Sequence, residues 1–324
     1  MPKFDTESPQ RIAATDYNAI RNKIIAILGT GSGQQGYGQP TTSSALFAGN
    51  NITKAQWDLL RYDLVNILVH QEGTEPSIVT VPSGGVIGYG AGYANTNYDS
   101  LAEQAILNRF NIGAGQSILS IASMTGETAP GVISRTGSWS TQSQCTLTVT
   151  FSTANAARYF FNSGGKIRFT STRTGGTTSP QNNAWTDLLN TSVGTVNFGA
   201  ATPALVNFYN LTTSYQQWYT LSSSSPYSAS AYRIEALCNC TDPTNVNGTA
   251  SVVTFRITWA DSYVDPDTLN PDYPAPITIH PPGDLVDGTL SLTVEEFKAA
   301  GSLIPSGSFA ITSPSYSISA ISAT

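Results

Sequence analysis

The chain has 324 residues, enough for two or three domains and a sizeable core. Charged residues make up only 11% of it, against roughly 25% in ordinary soluble domains, so Ser, Thr, Asn, Gln and Gly must supply the polar surface. The formal net charge is −6 and no run of Lys or Arg offers a stripe for phosphates, which argues against nucleic acid as a partner.

The opening MPKFDTESPQ is polar and reads as an extended arm over residues 1–12, not as a signal peptide. No stretch approaches the ~18–20 continuous apolar residues of a membrane span. Synthesis and first folding in a cytoplasm are therefore expected. A helix follows, with Tyr17, Ile20, Ile24, Ile27 and Leu28 on one stripe, Arg21 beside it, Thr15 or Asp16 as its cap and Gly29 as its stop. Forty positions on, the pattern recurs as Trp57, Leu60, Arg61, Leu64, Ile67 and Leu68. Thr53 and Gln56 form a capping box for this second helix, which runs to about His70 and stops near Gly73.

Between the copies lies a glycine-rich connection, 29–51. Two short helices cannot bury both stripes against each other. Residues 1–75 are thus expected to be a docking module. In it Tyr17, Ile20, Arg21, Ile24, Leu28, Trp57, Leu60, Arg61, Leu64 and Leu68 would meet another subunit, and the loop would order on assembly. Packing of the stripes onto the chain's own remainder is the open alternative. Residues 76–128 read as a connecting segment, with a strand at 77–81. Tyr98, Asp99, Leu101, Ala105 and Ile106 sketch a third, degraded helix copy that fails at Asn108 and Arg109.

From about 130 the period changes from helical to two. Alternation is clear over 145–151, 166–172, 193–198, 205–209, 232–238 and 252–259, and Gly/Asn/Ser turn clusters separate these runs. The fold class expected is α+β: duplicated N-terminal helices, then a mainly antiparallel β-sandwich over 129–260. Val253, Phe255, Ile257 and Trp259 point to its core. Residues 261–324 read as a Pro/Asp-rich linker followed by a strand at 289–294, a helical turn at 295–300 with Glu295 and Glu296 at the surface, and an alternating end at 308–321.

Few residues suggest chemistry. His70 closes the second helix, where an imidazolium would complement the helix dipole, and His280 lies in a proline-fixed piece. Neither has a local carboxylate and nucleophile around it. Gly31, Gly33 and Gly36 match GxGxxG, but after a helix rather than between a strand and a helix, so a flexible or subunit-conforming loop is the reading. Asp261, Asp265, Asp267, Asn270 and Asp272 form an acidic cluster without EF-hand spacing, either a solvated linker or a structural calcium loop. Cys145, Cys238 and Cys240 are expected to be buried thiols. They lack the paired CxxC spacing of a zinc site, so no metal and no cofactor are expected. Trp139, Trp185, Trp218, Tyr209, Tyr219 and Trp259 fill a core or, if exposed, stack on sugar rings. Trp185 and Trp218 are the candidate ligand contacts.

Asp16, Tyr17 and Asn18 with Arg21, Asn22, Lys23 and Ile24, followed by the glycines from 29 to 38, resemble the start of virion structural proteins of tailed phages, especially the contractile-tailed phages of cyanobacteria. The stretches 161–176, 183–189 and 208–212 are similar to another part of such proteins. The resemblance covers about two-thirds of the chain. It implies a non-enzymatic tail, neck, baseplate or fibre component of the virion, made in the host cytoplasm and present in several symmetric copies. Its partners would be other virion proteins and copies of itself. A receptor- or carbohydrate-binding fibre module contacting a host surface glycan is the alternative, and a tail-associated glycan hydrolase a third reading. The hydrolase would need a carboxylate pair in a cleft, and the sequence singles out none.

Overall fold

The computed structural model describes residues 13–78, 80–81, 95–113, 118–120, 124–200, 206–264, 268–270, 277–279, 285–298 and 311–323. The protein is α+β, and its contacts divide it into two compact units. One draws on residues 1–117, 155–165 and 298–312, the other on 118–154, 166–297 and 313–324. These are not the contiguous blocks that composition suggested. The N-terminal helices share their unit with a helix taken from the middle of the β region.

In the helical unit, α1 (Ala14–Leu28), α2 (Lys54–Glu72) and α3 (Asn95–Leu107) pack on one another. α1 begins at Ala14, before either Thr15 or Asp16 could cap it. Ala13 stands at the N-cap and Asp16 reaches back to its N–H at 3.0 Å. α2 opens as expected, with Thr53 and Gln56 each serving the other's backbone N–H. Its end at Gly73 is left-handed, with φ 77°. α3 covers the residues expected to form a third helix. Tyr98, Ala102 and Ala105 are buried along it. The three aromatic positions meet: ring centroids lie 6.2 Å apart for Tyr17 and Trp57, and 4.8 Å for Trp57 and Tyr98. α4 (Ala154–Asn162) contributes the buried side chains Ala157, Phe160 and Phe161 at helical spacing from its Asn155–Asn162 portion. The strand expected at 77–81 is not formed at its described residues. Ile78 is an irregular segment whose carbonyl accepts from Arg61 Nε at 3.1 Å.

The second unit is a sandwich of two antiparallel sheets. In the first, β11 (Thr289–Phe297) is flanked on one side by β4 (Lys166–Thr174) and then β5 (Thr195–Gly199). On its other side lie β2 (Val132–Thr136) and β1 (Ile118–Ser120), end to end. The second sheet runs β12 (Ser315–Ile318), β3 (Gln142–Thr150), β8 (Val252–Ala260), β7 (Ala231–Cys238), β6 (Gln216–Ser222), and β13 (Ser322–Ala323) adds to β3. β9 (Thr268–Asn270) and β10 (Ile277–Ile279) pair separately.

Alternation decides which face is inward. Leu147, Val149, Phe169, Phe255, Ile257 and Trp259 are buried, as the sequence pattern required. Phe255 packs its ring at 5.0 Å from both Phe169 and Phe198 across the two sheets. Burying such a side chain is worth roughly 1.5–3 kcal/mol.

Two expectations fail here. The run 205–209 is not a strand where it is described. Asn207 accepts from Tyr209 N–H at 2.9 Å and caps a single 3-10 turn at Phe208–Asn210, a local bond that competes with ladder pairing. The helical turn at 295–300 is absent over its first residues, because β11 continues to Phe297. Glu296 therefore points inward, with Tyr316 Oη donating to it at 2.8 Å and Ser313 Oγ at 2.6 Å. The mainly β region also holds two helices, α4 and α5 (Pro180–Asp187), that its period-two runs did not mark.

Candidate functional site

The ten residues expected at an assembly interface lie within the helical unit itself. Tyr17, Ile20, Ile24 and Leu28 of α1 and Trp57, Leu60, Leu64 and Leu68 of α2 are all buried there. α3 supplies the third surface that two helices lacked. The two arginines bond within the chain as well. Arg21 Nε donates to the Ser43 carbonyl at 3.1 Å, and Arg61 does the same for Ile78, so each copy uses its arginine to tie down a downstream segment. These side chains form a core, and the docking expectation is corrected accordingly.

The glycine-rich connection is likewise held by its own chain. The N–H groups of Gly36, Tyr37, Gly38 and Gln39 donate to the carbonyls of Ala26, Ile27, Gly29 and Leu28 at 2.7–2.9 Å, closing the C-terminal turn of α1. The loop's outward carbonyls go to α4. Arg158 donates to Thr30, Gly33 and Gln35 at 2.9–3.2 Å, and Asn162 Nδ2 to Gly33, Gln35 and Gly36 at 3.0–3.2 Å. Gly36 sits at φ 90°, and a Cβ there would lie 2.6 Å from the Gly29 carbonyl oxygen, so only glycine fits. A phosphate cradle needs free N–H groups at a helix N-terminus. Here the loop follows the carbonyl end of a helix, and the N–H groups of residues 36–39 are taken up by that end. Further along, buried Asp63 receives the N–H and hydroxyl groups of Thr42 and Ser43 at 2.6–3.1 Å.

His70 is fully buried rather than an exposed helix-end cation. Burial lowers its pKa to about 4, opposed by the 2.8 Å bond in which Nε2–H donates to the Ser163 carbonyl. It is a neutral packing group, edge-on to Tyr37 at 5.1 Å. His280 lies outside the described residues, as do Asp265, Asp267 and Asp272, and only the backbone of Asn270 is described. Asp261 is buried, accepting from Gln181 Nε2 at 2.8 Å and Ser230 Oγ at 2.7 Å. Among the described residues no group of His, Cys, Asp and Glu could hold a metal ion, and no helix is long and apolar enough to cross a membrane. All three cysteines are free and buried. Desolvation pushes the thiols of Cys145 and Cys238 up to about 12.

The candidate ligand contacts Trp185 and Trp218 are core residues. Trp185 is 1% exposed and meets Trp139 edge-on at 6.0 Å. Trp218 is 7% exposed and packs against Phe198 at 5.3 Å. Neither offers a stacking face to a sugar.

The β unit does carry a groove that sequence reading missed. It has a volume of about 750 Å³. It lies where β2 and β4 end and β11 begins, at Thr136, Thr174 and Thr289. The turns Gly137–Ser138 and Gly175–Thr177, Ser179 and Gln181 at the start of α5, and Leu285, Asp287 and Gly288 complete its wall. Asp287 organises it. Its Oδ1 receives Asn182 Nδ2 at 2.6 Å, Thr177 N–H at 2.9 Å, Thr177 Oγ1 at 3.2 Å and Arg173 Nη2 at 3.4 Å. Desolvation opposes its ionisation. The Thr177 and Asn182 donors and the Arg173 charge outweigh that and hold the carboxyl below its usual range. Arg173 is itself buried and anchored by the Asn182 carbonyl at 3.1 Å and Thr186 Oγ1 at 2.8 Å. Gly176 is obligatory at the wall: at φ 82°, its Cβ would stand 2.5 Å from Asp287 Oδ1. The sequence signal was present as two glycines after an alternating strand, with an Asp-Gly pair far downstream, but nothing in one dimension joined them.

No protein-family model matches the chain, and neither a curated protein nor a solved structure matches it.

Proposed function

We propose that the chain is a non-catalytic structural component of a tailed-phage particle, in the tail, neck, baseplate or fibre region, built into the virion in several copies beside other virion proteins. The resemblance of its first helix, glycine-rich loop and β-region phrases to such proteins supports this reading. The observation that carries it furthest is how its few charges are used. Asp63, Arg158, Arg173 and Asp287 each fix a loop or a strand end through bonds to backbone or neighbouring side chains. A chain whose ionic groups are committed to shape suits a scaffold, and a neutral polar surface suits close packing between subunits.

The test is a mass-spectrometric inventory of purified particles and separated tail assemblies. The reading expects the chain as a stoichiometric virion component of an assembly. Its absence from particles, when infected-cell lysate contains it, would overturn the proposal.

A further inference from the structure

We infer that the groove at the ends of β2 and β4 is a binding site for a neutral saccharide. The inference stands apart from the particle role, since it concerns what the groove's own chemistry accepts.

The volume of about 750 Å³ lies within the ~300–1,000 Å³ typical of ligand sites. No Lys or Arg lines it, and the nearby Arg173 guanidinium is already engaged by Asp287, so an anionic ligand would meet the Asp287 carboxylate rather than a counter-charge. It presents instead the hydroxyl-bearing side chains of Thr136, Ser138, Thr174 and Thr289, which can both donate and accept. Asp287 adds a fixed acceptor. Its Oδ1 is occupied by four donors, whereas Oδ2 takes only the longer branch of the Thr177 N–H bond, at 3.0 Å. An ionised oxygen held in one orientation with a lone pair to spare suits a sugar hydroxyl, and orientation fixed in advance lowers the cost of binding. Leu285, 53% exposed at the rim, offers an apolar surface to the C–H face of a pyranose ring. A cation is a poor fit, because the wall holds a single carboxylate with one oxygen already filled.

Saturation-transfer NMR on the full chain tests this with cellotriose, maltotriose, triacetylchitotriose and, as the anionic control, trigalacturonate. At least one neutral trisaccharide should give transfer at about 10 mM or below, and trigalacturonate should give less. Ser138→Trp fills the groove from an exposed position and should abolish the signal. Asp287→Asn turns Oδ2 from an acceptor into an N–H donor and should weaken binding by roughly tenfold or more. Melting curves establish that each variant is folded; if Asp287→Asn is not, Ser138→Trp alone decides. No transfer from any neutral sugar, stronger transfer from trigalacturonate, or undiminished binding by Ser138→Trp would each overturn the assignment. A failure here leaves the particle inventory untouched, and absence from particles leaves the groove's binding untouched.

Discussion

Acid should loosen the helical unit through His70 in a way that one substitution can isolate. The imidazole is fully buried, edge-on to Tyr37, and gives its single N–H to the Ser163 carbonyl at 2.8 Å. Burial moves its pKa from 6.5 to about 4. The unfolded chain therefore takes up a proton near pH 6.5 that the folded chain refuses until near pH 4. Across that window the unfolded state binds more protons, so stability falls as pH falls. A displacement of this size corresponds to about 3 kcal/mol, all of it present above the unfolded pKa and lost by about pH 4. His70→Gln keeps a donor for the Ser163 carbonyl and removes the titration. Carboxylates also titrate in acid, but they act equally in both proteins and cancel in the difference. Amide hydrogen exchange in α2, measured at several pH values between about 7 and 4, reads the local opening free energy. Wild type should lose about 3 kcal/mol more than His70→Gln over that range. Parallel pH profiles for the two proteins would refute the buried, neutral assignment.

Three further outcomes follow from the packing and the bonds. Trp57→Ala removes the ring shared by Tyr17 and Tyr98 and should cost roughly 3–5 kcal/mol, seen as early loss of the helical circular-dichroism signal; a cost under about 1 kcal/mol would contradict the shared aromatic core. Arg158→Ala should destabilise by roughly 2–3 kcal/mol and open residues 29–42 to proteases, and Arg158→Lys should rescue only in part, because one ammonium cannot span the Thr30, Gly33 and Gln35 carbonyls. Cys145 and Cys238, buried with thiols pushed up to about 12, should resist a thiol reagent at about pH 8 in the native chain and react in denaturant; rapid native labelling would show the β core to be open.

What could be read from the sequence followed the strength of local periodicity. β8 and the flanking strands β3 and β7 were legible because alternating residues leave one register with the apolar side inward. The capping box of α2 was legible for a similar reason: Thr53 and Gln56 satisfy each other within one turn. Glu296 shows how a correct period can be abandoned too soon. Leu290, Leu292, Val294 and Glu296 continue one face, and a buried carboxylate is tolerated there because Tyr316 and Ser313 donate to it. The helical stripes were correctly identified as buried faces, but the cover was misplaced. It comes in part from α3, whose small Ala102 and Ala105 weaken the apolar signal while allowing close packing. The groove was illegible because Asp287 and Thr177 are joined only by the fold.

The helical unit takes α1, α2 and α3 from the first third of the chain, yet Arg158 and Asn162, which hold the glycine-rich loop, are encoded beyond three strands of the other unit. A single recombination breakpoint therefore cannot transplant either unit intact. A cut between residues 117 and 155 would pair one parent's loop carbonyls with another's guanidinium. Because the two units alternate along the chain as far as residue 313, exchange should be tolerated best when it carries the chain whole, so the gene behaves as one heritable block where its composition suggests several.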